Sequence, residues 1–314
     1  MANRLRSQGI GAALTSALLL GLIPIFGKQA LLMGYSPLSV VTIRSGLAAT
    51  LLFGFMLFQR RYFYIYPVGL IGCALAGFIN GVGSILYYFA LDRIGAGVGQ
   101  LLYSFYPLFV AGWLLLDRHA ISRLTILRLG LALPGVILLI QTGHDRVDLL
   151  GAACMLGSAI FYALHLIVNQ RVLYEVPAPT VTFYTLLSMS LTVLSAYLIF
   201  DRQIPPSTAS PWPLLGMGFV TFLSRLTLFL GVKKLGGMQT ALLGLGELLV
   251  TIVLAQIWLQ ETLSIPQSIG ALFVGASVLL VGLEKYTPAK RHQTGWLAWL
   301  NPPKIPTTDL PWQN

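Results

Sequence analysis

Glu247 stands alone in MQTALLGLGELLVTIVLAQIWL, an otherwise uncharged apolar run of the 314-residue chain. A carboxylate held away from water can exchange a proton, receive a cationic group or pair with a basic side chain. Arg225, near the middle of the preceding apolar run, is the candidate partner for a charge pair, and a pair that opens when substrate or a proton arrives serves both readings. On a 3.6-residue period Thr240, Gly244, Glu247 and Thr251 share one small, polar face suited to a cavity. Lys28 and Arg44 are two further cations inside apolar sequence, where a charge at bilayer depth costs about 2.5–3.5 kcal/mol on insertion scales. Both are expected to face one outward-facing vestibule of a central cavity, where they could grip a substrate carboxylate or cap a helix's carbonyl end; Lys28 lies close enough to its helix end to snorkel instead. Pro24, one turn before Lys28, removes a backbone bond and marks a hinge or a bared carbonyl. Tyr162, His165 and Asn169 form one helical stripe; Asn80, Ser84 and Tyr87 a second; Gln100, Tyr103 and Pro107 a third. Such stripes either line a ligand site or bond helix to helix. His165 has no second ligand at metal-binding spacing, so neither a metal nor another cofactor is expected.

The elements that carry these residues follow from composition. With 56% hydrophobic and 10% charged residues, the chain lies outside the range of soluble domains. Ten apolar segments of roughly 20 residues can each cross ~30 Å of hydrocarbon as a helix. They run Gly9 to Met33, Pro37 to Phe58, Pro67 to Leu91, Gly95 to Leu116, Ile121 to Gln141, Leu149 to Val172, Pro179 to Phe200, Pro213 to Val232, Met238 to Leu259 and Ile265 to Leu283. Their continuity favours helices over a barrel, so the expected fold is an all-α membrane protein with ten transmembrane helices.

Charge placement decides between a membrane surface and nucleic acid as the meaning of the +10 net charge. With the N-terminus inside, the inner segments hold thirteen Lys and Arg, Arg171 among them, and the outer loops hold Arg93, Arg146 and Arg202. That positive-inside bias places both termini in the cytoplasm, and no recognition motif points to nucleic acid. The first apolar run is too long for a signal peptide and reads as helix 1. Cys73 and Cys154 fall in different leaflets and read as small core residues. The lack of an N-x-S/T sequon leans towards a prokaryotic inner membrane.

The chain repeats itself after about 140 residues. GAAL at Gly11 returns as GAAC at Gly151, LGLALPGVILL at Leu129 as IGALFVGASVLL at Ile269, and FALDRIG ending at Gly95 as FLGVKKLG ending at Gly236. Each half holds five helices, an odd number, so the second half enters the membrane inverted. Inverted repeats suit secondary transporters, whose substrate site lies between the halves near the midplane.

SPLSVVTIRSG with Arg44, FGKQAL ending helix 1, and ELLVTIVLAQIWLQETLSIPQSIGALFVGASVLLVGL closing the second half resemble the EamA-type branch of the drug/metabolite transporter superfamily. The resemblance covers residues 9 to 284. It implies two EamA domains, a plasma-membrane location and export, less often import, of small metabolites such as amino acids or of drugs. Glu261 takes the position of an acid that often follows helix 9 in that branch. DRHAIS from Asp117 lacks the matching glutamate, and Leu248 replaces a frequent proline.

The expected division is 1–145 for the first five-helix repeat, 146–284 for the second and 285–314 for a basic, Trp- and Pro-rich cytoplasmic tail lying in the headgroup zone. The function expected is secondary transport of a small zwitterionic or anionic metabolite, with protons as candidate coupling ion and the bilayer as surroundings. The alternative is a membrane-embedded enzyme or structural protein. Against an enzyme, no nucleophile and base stand at a plausible spacing.

Overall fold

The computed structural model describes residues 2–117, 122–140, 148–201, 210–259, 265–280 and 295–300. Arg118, Arg146, Arg202, Glu261, Lys285, Lys290, Arg291 and Lys304 lie outside them. The described residues form thirteen α-helices and no strand: α1 (Ala2–Leu20), α2 (Ile23–Leu32), α3 (Pro37–Phe58), α4 (Pro67–Arg93), α5 (Ala96–Tyr103), α6 (Tyr106–Leu116), α7 (Arg123–Ile140), α8 (Leu149–Leu173), α9 (Ala178–Phe200), α10 (Trp212–Leu235), α11 (Gly237–Gly244), α12 (Gly246–Leu259) and α13 (Ile265–Leu279). Helices α2, α3, α4, α6, α9 and α10 carry proline at the first or second position, where its missing N–H is no loss. Ser36 caps α3 by accepting the Ser39 amide at 3.1 Å. Gly34, at φ +89°, ends α2 by the two-bond pattern in which its own amide reaches Leu31 O and that of Tyr35 reaches Ala30 O.

Six helical stretches, α1 with α2 counted together, are long and apolar enough to cross a membrane. Large apolar side chains such as Phe58, Leu32, Ile199 and Leu272 face outward, as a lipid surroundings allows and water does not. The helices pack in reciprocal pairs. α4 packs on α8 and α10 on α1; α4 on α9 and α10 on α3; α6 on α8 and both α11 and α12 on α1. Exchanging the halves of the chain turns each of these pairs into the other, while α3–α9 and α7–α13 map onto themselves. The repeated sequence thus becomes a repeated packing. Gly77 and Gly81, one small residue every four, admit α9 against α4: a Cβ on Gly81 would stand 2.9 Å from that of Thr192. Cys73 is buried and Cys154 partly so, both free thiols.

Asp148 caps α8 through Leu150 N and pairs with Arg93 at 3.0 Å. The Arg93 hydrogen bond first, and then the Leu150 amide, hold its carboxyl below the usual range. A depressed carboxyl contributes stability at neutral pH that is lost as pH falls through its folded value.

Three runs that read as continuous helices are broken. Gly9 to Met33 is interrupted at Gly21–Leu22, Gly95 to Leu116 at Ser104–Phe105, and Met238 to Leu259 at Leu245. Pro24 and Pro107 explain two breaks, because neither has an amide for the carbonyl four residues earlier. The third has a glycine on each side of Leu245, whose amide turns to Leu242 O at 3.4 Å instead of to Ala241 O four residues back. Of the C-terminal segment the described residues 295–300 lie against the bundle, with Trp296 and Trp299 exposed but Leu297 and Leu300 wholly buried, which a surface tail does not require.

Candidate functional site

The three breaks meet. Tyr106, at the start of α6, donates its hydroxyl to Ala241 O at 2.8 Å, satisfying the carbonyl that the third break releases. It fits because Gly244 has no side chain; a methyl there would run into the hydroxyl. Thr251 donates to Gly21 O at 3.1 Å and, in bifurcated fashion, to Glu247 O at 3.0 Å, tying the first break to the third. Tyr106→Phe should therefore leave a buried carbonyl without its donor and lower stability by about 1 kcal/mol, read as a lower melting temperature in detergent.

A pocket with about 480 Å³ of empty space, solvent at its mouth included, opens beside this junction. Arg44, Arg225 and Glu247 line it with Tyr87, Tyr88, Tyr103, Tyr162, Asn80 and Ser84. The three charged side chains are 4%, 5% and 6% exposed, so each is withdrawn from bulk solvent. Glu247 lies in the first turn of α12, where the helix's amide end favours an anion. Its Oε1 accepts from Gln100 Nε2 at 2.8 Å, and Gln100 Oε1 accepts from the Tyr87 hydroxyl at 3.2 Å. Tyr87, Tyr103 and Tyr162 follow one another with ring centroids 5.2 and 5.3 Å apart.

The two arginines are held lightly. Arg44 lies 5.3 Å from the centroid of Tyr88, Arg225 5.5 Å from that of Tyr162, and the Nε of each is buried without a hydrogen-bond partner. Arg225 Nη1 approaches His165 Nε2 at 3.3 Å, while His165 Nδ1 lies 2.6 Å from Tyr162 O. A guanidinium only donates and a carbonyl only accepts, so His165 carries its hydrogen on Nδ1 and offers Nε2 as a lone pair. Cation–ring contacts and a bond to a neutral acceptor leave both guanidinium groups available to a carboxylate, which binds arginine in paired, charge-assisted bonds.

Arg44, Asn80, Tyr87, Tyr103, Tyr162, Arg225 and Glu247 come together on the cavity wall. His165 does not line it but stands behind Arg225. Arg225 and Glu247 face one cavity without forming a direct ion pair, since the guanidinium is turned to His165 and the carboxylate to Gln100. Lys28 also stands off the wall: its ammonium donates to Leu91 O at 2.9 Å and Ile94 O at 3.4 Å, capping the carbonyl end of α4. Pro24 is buried in the first turn of α2, beside the break. In the stripe of Thr240, Gly244, Glu247 and Thr251 only Glu247 reaches the cavity, because Tyr106 fills the space over Gly244. Asn169 accepts from Thr185 at 2.9 Å, a helix-to-helix bond. Tyr88 and Ser158 line the cavity without having been singled out from sequence; each lies four residues along its helix from a polar residue that was, Ser84 and Tyr162. Among the described residues no group of three potential metal ligands gathers.

Interrupted helices around a charged, tyrosine-lined cavity, in a bundle built of two reciprocal halves, define a multi-pass membrane protein of the transporter type. The chain belongs to the EamA-like transporter family, whose model matches residues 7–141 and again 149–283. It is 29% identical over 226 residues to an uncharacterized transporter of Synechocystis sp., covering 69% of this chain and 67% of the relative. It is 26% identical over 288 residues to an uncharacterized transporter of Archaeoglobus fulgidus, covering 90% and 98%. A crystal structure of a protein 14% identical in sequence superposes with a TM-score of 0.69 over 88% of this chain and 97% of that one, which is a likeness of fold.

Proposed function

We propose that the protein is a secondary transporter that exports a small zwitterionic or anionic metabolite, such as an amino acid, across the plasma membrane by alternating access coupled to protons. The reading rests on the cavity's wall of two guanidinium groups and one carboxylate, all buried, with donors to spare on both guanidinium groups. Two cations against one anion favour a ligand carrying at least one carboxylate, and Glu247 can receive an ammonium group or a proton. The ten-span topology with both termini in the cytoplasm is part of this proposal, supported by the positive-inside bias and by the reciprocal packing of the halves. The breaks beside Glu247 suit alternating access, since each interrupted helix can bend there without losing further backbone bonds.

Purified protein in liposomes loaded with a mixture of ¹⁴C-labelled amino acids and organic acids tests the reading. Counterflow of at least one compound, absent from empty liposomes and altered by an imposed pH gradient, is the expected result. No counterflow of any compound would favour a structural or enzymatic role. Arg44→Lys should weaken the apparent affinity for the transported compound while leaving the protein folded, because an ammonium cannot reproduce the two-bond grip.

A further inference from the structure

The C-terminal segment at 295–300 is seated in the bundle, in a crevice where helices of both halves meet. Gly295, at φ +104°, turns the chain against the end of α6, where a Cβ would stand 2.6 Å from Asp117 O. Trp296 packs on Trp113 with ring centroids 5.9 Å apart. Leu297 donates its amide to Asp117 Oδ1 at 3.2 Å and buries its side chain completely. Residues Ala298–Leu300 form a single 3-10 turn that delivers Leu300 beside Gly72 of α4, the glycine against which Val172 of α8 also packs closely.

The seat has two properties beyond being apolar. It draws on α4 and α6 from the first half and α8 from the second. Its polar anchor is also shared, because Asp117 Oδ2 pairs with Arg171 of α8 while Oδ1 holds the segment. One carboxylate therefore fastens α6 to α8 and the strap to both. Tyr106, on the same helix as Asp117, spans to α11 nearer the cavity, so the strap closes the end of the molecule lying beyond the junction of the helix breaks.

We propose that residues 295–300 are a removable strap that holds this end of the cavity shut, and that they leave their seat whenever α8 moves away from α4 and α6 to open it. This rests on reading the chain as a transporter. Displacement of the strap removes the amide from Asp117 and two leucines from the crevice, which loosens the α6–α8 pair at the same moment. Closure and strap docking are then a single two-state element.

Side-specific labelling of the cavity tests the proposal. In a background with Cys73→Ser and Cys154→Ser, Ser158→Cys places one thiol on the cavity wall, to be reacted in oriented proteoliposomes with a charged, membrane-impermeant methanethiosulfonate from either face. Two variants undock the strap: deletion of residues 295–314, and Leu297→Asp with Leu300→Asp in the full chain. Labelling from the strap's face should rise about tenfold or more in both, as loss of one state's contacts shifts the population towards the other. Trp296→Ala, milder and safe for folding, should give a smaller rise in the same direction. Equal labelling from the strap's face in the full chain and in every variant would overturn the strap and leave the transport reading standing. A thiol unlabelled from both faces in all of them would overturn both.

Discussion

Glu247→Gln should fold like the parent and move the transported compound roughly 10- to 100-fold more slowly, since a hydrogen bond to a charged group contributes about 1.5–3 kcal/mol and ~1.4 kcal/mol is a factor of ten. The substitution isolates charge from shape. A glutamine at 247 can still accept from Gln100 through its carbonyl oxygen, so the contact across from α5 to α12 persists. What disappears is the only carboxylate that the described residues bring to the cavity wall, where two guanidinium groups also stand. Transport measured by counterflow between pH 5.5 and 8 should also lose its pH response, because no other acid lines the site among the described residues. Undiminished, pH-responsive transport would remove Glu247 from the mechanism. Gln100→Leu should be gentler, as it leaves the charge and removes only the donor that aims it.

The second large effect is on stability. Asp117 and Arg171 form an ion pair with side chains 0% and 1% exposed. Removing one partner strands the other's charge in the interior, at a penalty of about 3–5 kcal/mol. Asp117→Leu should therefore lower the yield of folded protein sharply and depress its melting temperature, followed by size-exclusion chromatography and thermal unfolding in detergent. Asp117→Leu together with Arg171→Met removes both charges and should recover most of that loss, since well-packed apolar groups replace buried pairs with little penalty. Equal damage in the single and double variants would mean that the pair's worth lies in its other contacts rather than in charge balance.

Much of the protein's character was legible in the sequence alone. Apolar length over twenty residues adds up locally, so long helices and a multi-pass membrane protein follow from composition and run length. The repeat is legible too, because internal likeness needs no knowledge of space. Glu247, Arg225 and Arg44 could be singled out because charge at membrane depth is expensive wherever it points. The sequence could not assign partners. Arg171 counts among the inner-face cations when read along the chain, yet it is sealed against Asp117, 54 residues earlier. Lys28 shares its depth with Arg44 but spends its charge on the carbonyl end of α4, 63 residues away. Arg225 turns to His165 instead of Glu247. The break at Leu245 carries no proline, and Tyr106, reaching in from another helix, donates to the carbonyl that it bares. The tail's composition suits a headgroup surface, and Trp296 and Trp299 are exposed, but the carboxylate of Asp117 and a crevice between α4 and α8 give Leu297 and Leu300 a buried seat. Hydrophobicity is a property of a segment and can be summed along the chain; satisfying a charge or a carbonyl is a property of a pair, and only the tertiary structure decides which residues become pairs.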